Sequence, residues 1–306
     1  PLFLLLIDLG MVLAIRHGPV GSFGECRRFF YGGLEPKRLG SPSAAKICQQ
    51  HRGQPFFATL YDRRRLVPHW SAYTLSAELC PGQAQRRSQW FVEPQLVSAD
   101  LSPDMSMESE CSPCRGEGKL SQALNEHYED TAFVRGQLNP GAHQCGASRT
   151  ATFALTNAVP LEPCFAHGRW RELQRALRAQ LRQSCPASDG GVAYVVTGAT
   201  PGADAIPRLL GQVTVPRHVW TAVCCDNAKP EEKFSLAFLA ENKVPRALGE
   251  LLRRGGCFAS CQCSRYSHFF PRELGSKTSP RVWGFPAMLE TSSGDSHAAA
   301  RAIIRL

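Results

Sequence analysis

Three short stretches carry the side chains best suited to work on a charged substrate. "FVRGQLNP", residues 133–140, sets Arg135, Gly136 and Gln137 in a row. "TFALTN" ends on Asn157, and the run "HGRWRELQRALRAQLRQS" opens on His167 and carries Arg171, Arg175, Arg178 and Arg182. A guanidinium neutralises an anion and can grip two of its oxygens at once. The amides of Gln137 and Asn157 donate and accept hydrogen bonds but do not titrate, so neither can take a proton from water. An imidazole can, and His167 is the one closest to the arginine-rich run.

These residues need a scaffold, and the flanking patterns describe one. In residues 168–184, Trp170, Leu173, Leu177 and Leu181 recur at helical spacing. That stripe predicts a helix packed on a core, with its arginines mostly on other faces and one or two bordering a groove for a polyanion. Residues 152–156 alternate and predict a strand ending at Asn157. Residues 56–61 and 66–73, aromatic and β-branched around a charged turn, predict a β-hairpin. Arg63, Arg64 and Arg65 in that turn form the densest basic cluster, read as a solvated turn or, more sharply, as a phosphate contact. "QWFVEPQL" predicts a strand whose Pro94 marks an edge. Residues 98–119 read as a loop or disordered insertion, and "CSPC" (Cys111, Cys114) as a local disulfide or an adventitious pair sooner than zinc. "VAYVVTG", "QVTVPRHVWTAVCC" and "KFSLAFLAEN" predict further strands, and "PRALGELLRR" a short helix. Together these elements describe an α+β fold with a mixed or antiparallel central sheet flanked by helices.

With 306 residues the chain is long enough for a substantial core, and its formal charge of +9 favours a polyanionic partner. Thirteen cysteines point to an oxidising compartment. Cys26 and Cys48 could tie an N-terminal arm to the hairpin sheet, although sequence does not fix disulfide connectivity. The apolar run "LFLLLIDLGMVLAI" is short for a membrane span; residues 1–21 read as a signal peptide lacking its first residues, or as a buried strand or helix. No later stretch is apolar for long enough to span a bilayer. Residues 22–255 would form the working domain, and 256–306 an irregular tail with Cys257, Cys261, Cys263 and His268, poorly ordered or disulfide-linked.

"FGECRRFFYGG", "KICQQ", "FFATLYDRRRLVPHWSAY", "WFVEPQL", "RGQLNP", "ATFALTNAVP" and "VPRHVWTAVCC" together resemble the DNA/RNA non-specific endonucleases, and within them a secreted branch. The resemblance implies a ββα-metal site that hydrolyses phosphodiesters, with a histidine as base and Mg²⁺ (or Mn²⁺) held by an asparagine. It also implies DNA or RNA as the partner. Arg135 and Gly136 match the motif, whereas Val134 replaces its aspartate and Gln137 its histidine. Glutamine recurs at that place in the secreted branch. Ala166 falls where the metal-binding asparagine belongs, Gln174 where a glutamate belongs, and Arg178 matches an arginine. The resemblance thus puts Gln137, Arg135 and Arg178 at catalytic positions, and Asn157 with Arg135 at substrate-facing ones. Asn157, or His167 one position from the ligand slot, would face the metal. Loss of a general base costs about 10²–10⁴-fold in rate. Two expectations follow: a metal-dependent endonuclease of weak or lost activity, or a pseudo-nuclease that binds nucleic acid or a protein.

Overall fold

The structure, a computed structural model, describes residues 20–76, 89–207 and 212–243, together with the backbone of a strand at 300–305. Residues 1–19 of the stretch 1–21 expected as a signal peptide, the helix expected at 245–254 and the Cys257–Cys261–Cys263–His268 group lie outside the described residues.

Strands β1 (Ala45–His51), β2 (Gln54–Asp62) and β3 (Val67–Thr74) form a meander. Two two-stranded ribbons follow in the chain, β4 (Phe91–Val92) with β5 (Ser106–Met107), and β6 (Val134–Gln137) with β7 (Ala158–Leu161). The main sheet continues with β8 (Val192–Ile206), β9 (Val213–Asp226), β10 (Phe234–Glu241) and β11 (Ala300–Arg305). Its order is β1-β2-β3-β8-β9-β10-β11, antiparallel except for the parallel pairing of β10 with β11. The strand β11 arises in a stretch where the sequence shows no periodicity. The helices are α1 (Ser112–Arg115), α2 (Gly146–Ala151), α3 (Pro163–Phe165) and α4 (Arg171–Ser184). The architecture is α+β with a mixed sheet, as the patterns predict.

The period-two alternation of a strand gives the sheet two apolar faces. On β3, Trp70 and Ala72 join Phe23, Phe30 and Trp220 on one side, while Tyr73 joins the larger core on the other. The disulfide Cys26–Cys48 staples the N-terminal arm to the first side. Helix α4 covers the second side with Leu173, Leu177 and Leu181, all buried beside Trp170. Burying each of these leucines contributes about 1.5–3 kcal/mol. Cys185, just past the end of α4, is bonded to Cys225 of β9 and anchors the helix to the sheet.

Two expected strands are revised. Residues 152–156 are not extended: Thr152 closes α2, its hydroxyl donating to the Arg149 carbonyl at 2.7 Å, and Leu155–Asn157 is a 3₁₀ turn. The true strand, β7, starts one residue later with all four side chains buried, so no alternation announces it. In residues 89–96 only Phe91–Val92 pairs, because Pro94 opens a 3₁₀ turn. In the loop that follows, Cys111 and Cys114 form the local disulfide.

Candidate functional site

Strand β6 presents Arg135 and Gln137, two residues apart, on one face of its ribbon with β7. Gly136 between them faces the other way, where a Cβ would lie 2.2 Å from Leu161 Cδ1. Close packing of the ribbon against Leu161 therefore requires the glycine of the Arg-Gly pair. The ribbon lies against β3 and β9, and the chain leaves β7 through α3 and a π-type turn, Ala166–Trp170, into α4. Gly168 breaks the backbone in that turn, so the regular helix starts at Arg171.

Gln137 and Asn157 meet on one residue, Thr152. The Gln137 amide donates to the Thr152 carbonyl at 2.9 Å and to its hydroxyl oxygen at 3.0 Å, and the Gln137 oxygen accepts the Gly141 N–H at 2.9 Å. Asn157 is fully buried. Its amide donates to the Thr152 carbonyl at 2.8 Å and the Asn139 carbonyl at 3.0 Å. Its oxygen accepts from Ser71 Oγ and from the Asn139 N–H, both at 2.9 Å. Both donors and both lone pairs of Asn157 are thereby used.

Beyond Gln137 the turn Gly141–His143 forms the floor of the site. A methyl at Gly141 would lie 3.2 Å from Thr152 Oγ1, 3.5 Å from Gln137 Oε1 and 3.6 Å from Arg149 Cγ, so these three side chains border one spot. Arg178 of α4 reaches the same turn and donates to the Ala142 carbonyl. Partial burial, followed by the positive fields of Arg182 and Arg149, depresses the Arg178 pKa. Arg149 and Arg182 therefore lie close to Arg178 as one cationic cluster, which Arg149 joins to Gln137 across Gly141.

His143, buried under this floor, is absent from the sequence-derived site. Its Nε2 lies 2.8 Å from the Gln174 carbonyl, which can only accept, so Nε2 carries the proton. Nδ1 then accepts from the Tyr73 hydroxyl at 3.0 Å. Burial lowers its pKa to about 4. His143 is neutral, and neither nitrogen is left for a water. It holds α4 to the floor.

Arg135 is half-buried, its guanidinium 5.1 Å from the Tyr128 ring centroid and 5.7 Å from that of Trp90, and it donates to the Asn125 carbonyl at 3.1 Å. Desolvation lowers its pKa. In the β2–β3 turn, Arg63 donates to the Leu96 carbonyl and Arg65 to Asp62. Burial alone would raise the Asp62 pKa, but the bonds from Arg65 and from the Arg64 and Arg65 amides hold it below the usual range. Arg63 and Arg65 therefore brace the turn.

The residues available do not fit a family-type metal. The Asn157 oxygen is filled, Ala166 has no ligand atom, and His167 is exposed on the π-type turn. Among the described residues no three His, Cys, Asp or Glu side chains are grouped to hold an ion. The structure thus brings Gln137, Asn157 and Arg178 around one turn and sets Arg135 on an aromatic bed beside them. It adds Arg149 and Arg182 to the cluster. Arg182 stands one helical turn after Arg178, a spacing visible in sequence; Arg149 has no such signal.

A family model described as DNA/RNA non-specific endonuclease matches residues 38–253. The chain is 34% identical over 223 residues to the Endonuclease domain-containing 1 protein of Homo sapiens, covering 72% of this chain and 42% of that protein. It is 34% identical over 236 residues to the protein of the same name from Mus musculus, covering 76% and 44%. The chain thus spans less than half the length of these relatives. Among solved structures, one of the EndoG/EndoGI complex aligns with TM-score 0.46 and 18% identity over 76% of this chain and 88% of that one. So slight a likeness supports nothing further.

Proposed function

The chain belongs to the DNA/RNA non-specific endonuclease family, and from that premise we propose that it grips nucleic-acid phosphates without cutting them by a histidine-and-metal route. One observation carries the reading: the two amides that stand at the family's polar positions are spent on Thr152, while the arginines beside them form a cationic cluster. Hydrolysis needs a proton acceptor for water and a counter-charge for the leaving oxygen. Gln137 cannot supply the first, and Asn157 has no lone pair with which to hold an ion for the second. Arg149, Arg178 and Arg182 supply only the charge that binding needs. The disulfides fit export to an oxidising compartment, and no helix among the described residues is long and apolar enough to cross a membrane.

A plasmid-nicking assay with Mg²⁺ or Mn²⁺, with and without EDTA, run beside a binding isotherm over a range of salt, tests this reading. The expected result is binding without EDTA-sensitive nicking, with a log–log salt slope of about −3 if the three arginines each take one phosphate. A Gln137→His variant should not gain cutting, since the ion ligand is missing as well. EDTA-sensitive nicking that disappears in Arg178→Ala would overturn the proposal in favour of a metal-dependent endonuclease.

A further inference from the structure

Next to the arginine cluster lies a group of flat side chains that phosphate binding does not use. Trp90 and Phe153 meet edge to face with centroids 5.6 Å apart. The Arg135 guanidinium lies 5.7 Å from the Trp90 ring, and Trp90, Phe153 and Arg135 are all partly exposed. The Phe91 N–H donates to the Phe153 carbonyl at 2.8 Å, which fixes Trp90 beside Phe153. Phe153 directly follows Thr152, the residue that receives the Gln137 amide. Arg135 and Gln137 share a strand face roughly 7 Å apart along the chain. Arg135, two residues before Gln137, and Phe153, next to Thr152, thus bring the aromatic group close to the turn that the arginines border.

We infer that Trp90 and Phe153, with Arg135 packed against Trp90 and Tyr128, form a stacking platform for unpaired bases, so that the preferred ligand is single-stranded nucleic acid. This rests on the phosphate-binding reading above and names its substrate class. A base offers its face to an indole or a guanidinium only when it is not stacked between neighbours in a duplex. Arginines track the backbone of a strand without regard to sequence, and aromatic faces accept any base, so the combination selects for strandedness. Charge complementarity favours this occupant over an apolar protein segment, because the platform lies near the arginine cluster and packs on a further arginine, Arg135.

The test uses the full chain and three ligands of equal length: an oligothymidylate, the same strand with abasic sites throughout, and a blunt duplex. Anisotropy should show the oligothymidylate binding about tenfold more tightly than the abasic strand, which has the same phosphates. Trp90→Leu, which keeps apolar contact but removes the π face, should bring that ratio towards one, and Trp90→Phe should restore most of it. Equal affinity for base-bearing and abasic strands in the unaltered protein would overturn the platform while leaving phosphate binding intact, and needs no variant to fold. A ratio unchanged by Trp90→Leu would also overturn it. Salt-independent binding of every ligand would instead sink the phosphate reading beneath it.

Discussion

Asn157 and Glu93 flank the same segment of chain and are both buried, yet their polar atoms fare oppositely. Strand β4, which ends just before Glu93, bridges Ala154, and Asn157 lies at the end of the 3₁₀ turn that follows. Around Asn157 every donor and lone pair is engaged. The Glu93 main chain is held at both ends by the Gln122 amide, at 2.8 Å each way. Among the described residues, however, neither of its carboxyl oxygens has a hydrogen-bond partner. Burial, with a smaller push from the Asp104 charge, raises its pKa well above the usual carboxylate range. The difference separates scaffold from reserve. Asn157 is a structural joint, whereas Glu93, an acid with unspent lone pairs, belongs to the neighbouring core.

The largest expected effect is at the joint. Asn157→Ala strands the Asn139 N–H and carbonyl in a dry setting where each lost partner costs about 1–3 kcal/mol, while Ser71 Oγ keeps Thr59 Oγ1 at 3.0 Å. A loss of about 3–5 kcal/mol in urea unfolding is expected. A loss below about 1 kcal/mol would mean that the asparagine is not holding these segments together.

Glu93 should behave in the opposite way. With its folded pKa raised, the native state holds a proton that the unfolded chain releases above about 4.5, so the native state loses stability as pH rises from there. Glu93→Met, unbranched and apolar, should stabilise by about 1–3 kcal/mol at neutral pH, with the gain shrinking as pH falls towards 4. Urea midpoints of the two proteins across that range decide the matter. A pH-independent difference would show that the carboxyl has found a partner and that the contrast with Asn157 is false.

The contrast also explains what the sequence could reveal. The hairpin around 62–65 and the stripe Trp170, Leu173, Leu177 and Leu181 were legible because alternation and helical spacing report burial directly. Residues 152–157 misled because Thr152 spends its hydroxyl on a helix end, and a local side-chain bond leaves no period to read. Gln137 and Asn157 could be recognised as polar positions, but residue type does not tell whether an amide faces a ligand or a carbonyl. Arg149 reaches the site from a six-residue helix with no apolar stripe, so only the fold places it beside Arg178.

Gln137→Ala gives the smallest expected effect and the finest discrimination. It removes three hydrogen bonds, but the Thr152 carbonyl keeps its bond from Asn157 and the Thr152 hydroxyl keeps its own acceptor at Arg149. The Gly141 N–H alone is orphaned, and removing the partly exposed Gln137 side chain opens space for a water beside it, so a cost of about 1 kcal/mol is expected. If the amide is only a brace for the floor, DNA affinity should stay within about twofold, because Arg178, one of the arginines proposed to meet phosphate, is bonded to the Ala142 carbonyl and not to Gln137. A tenfold fall in affinity at unchanged stability would place the free lone pair of the Gln137 oxygen, or the amide itself, on the ligand. Gln137 would then no longer belong with Asn157 as scaffold, and the proposed nucleic-acid surface would include the end of β6.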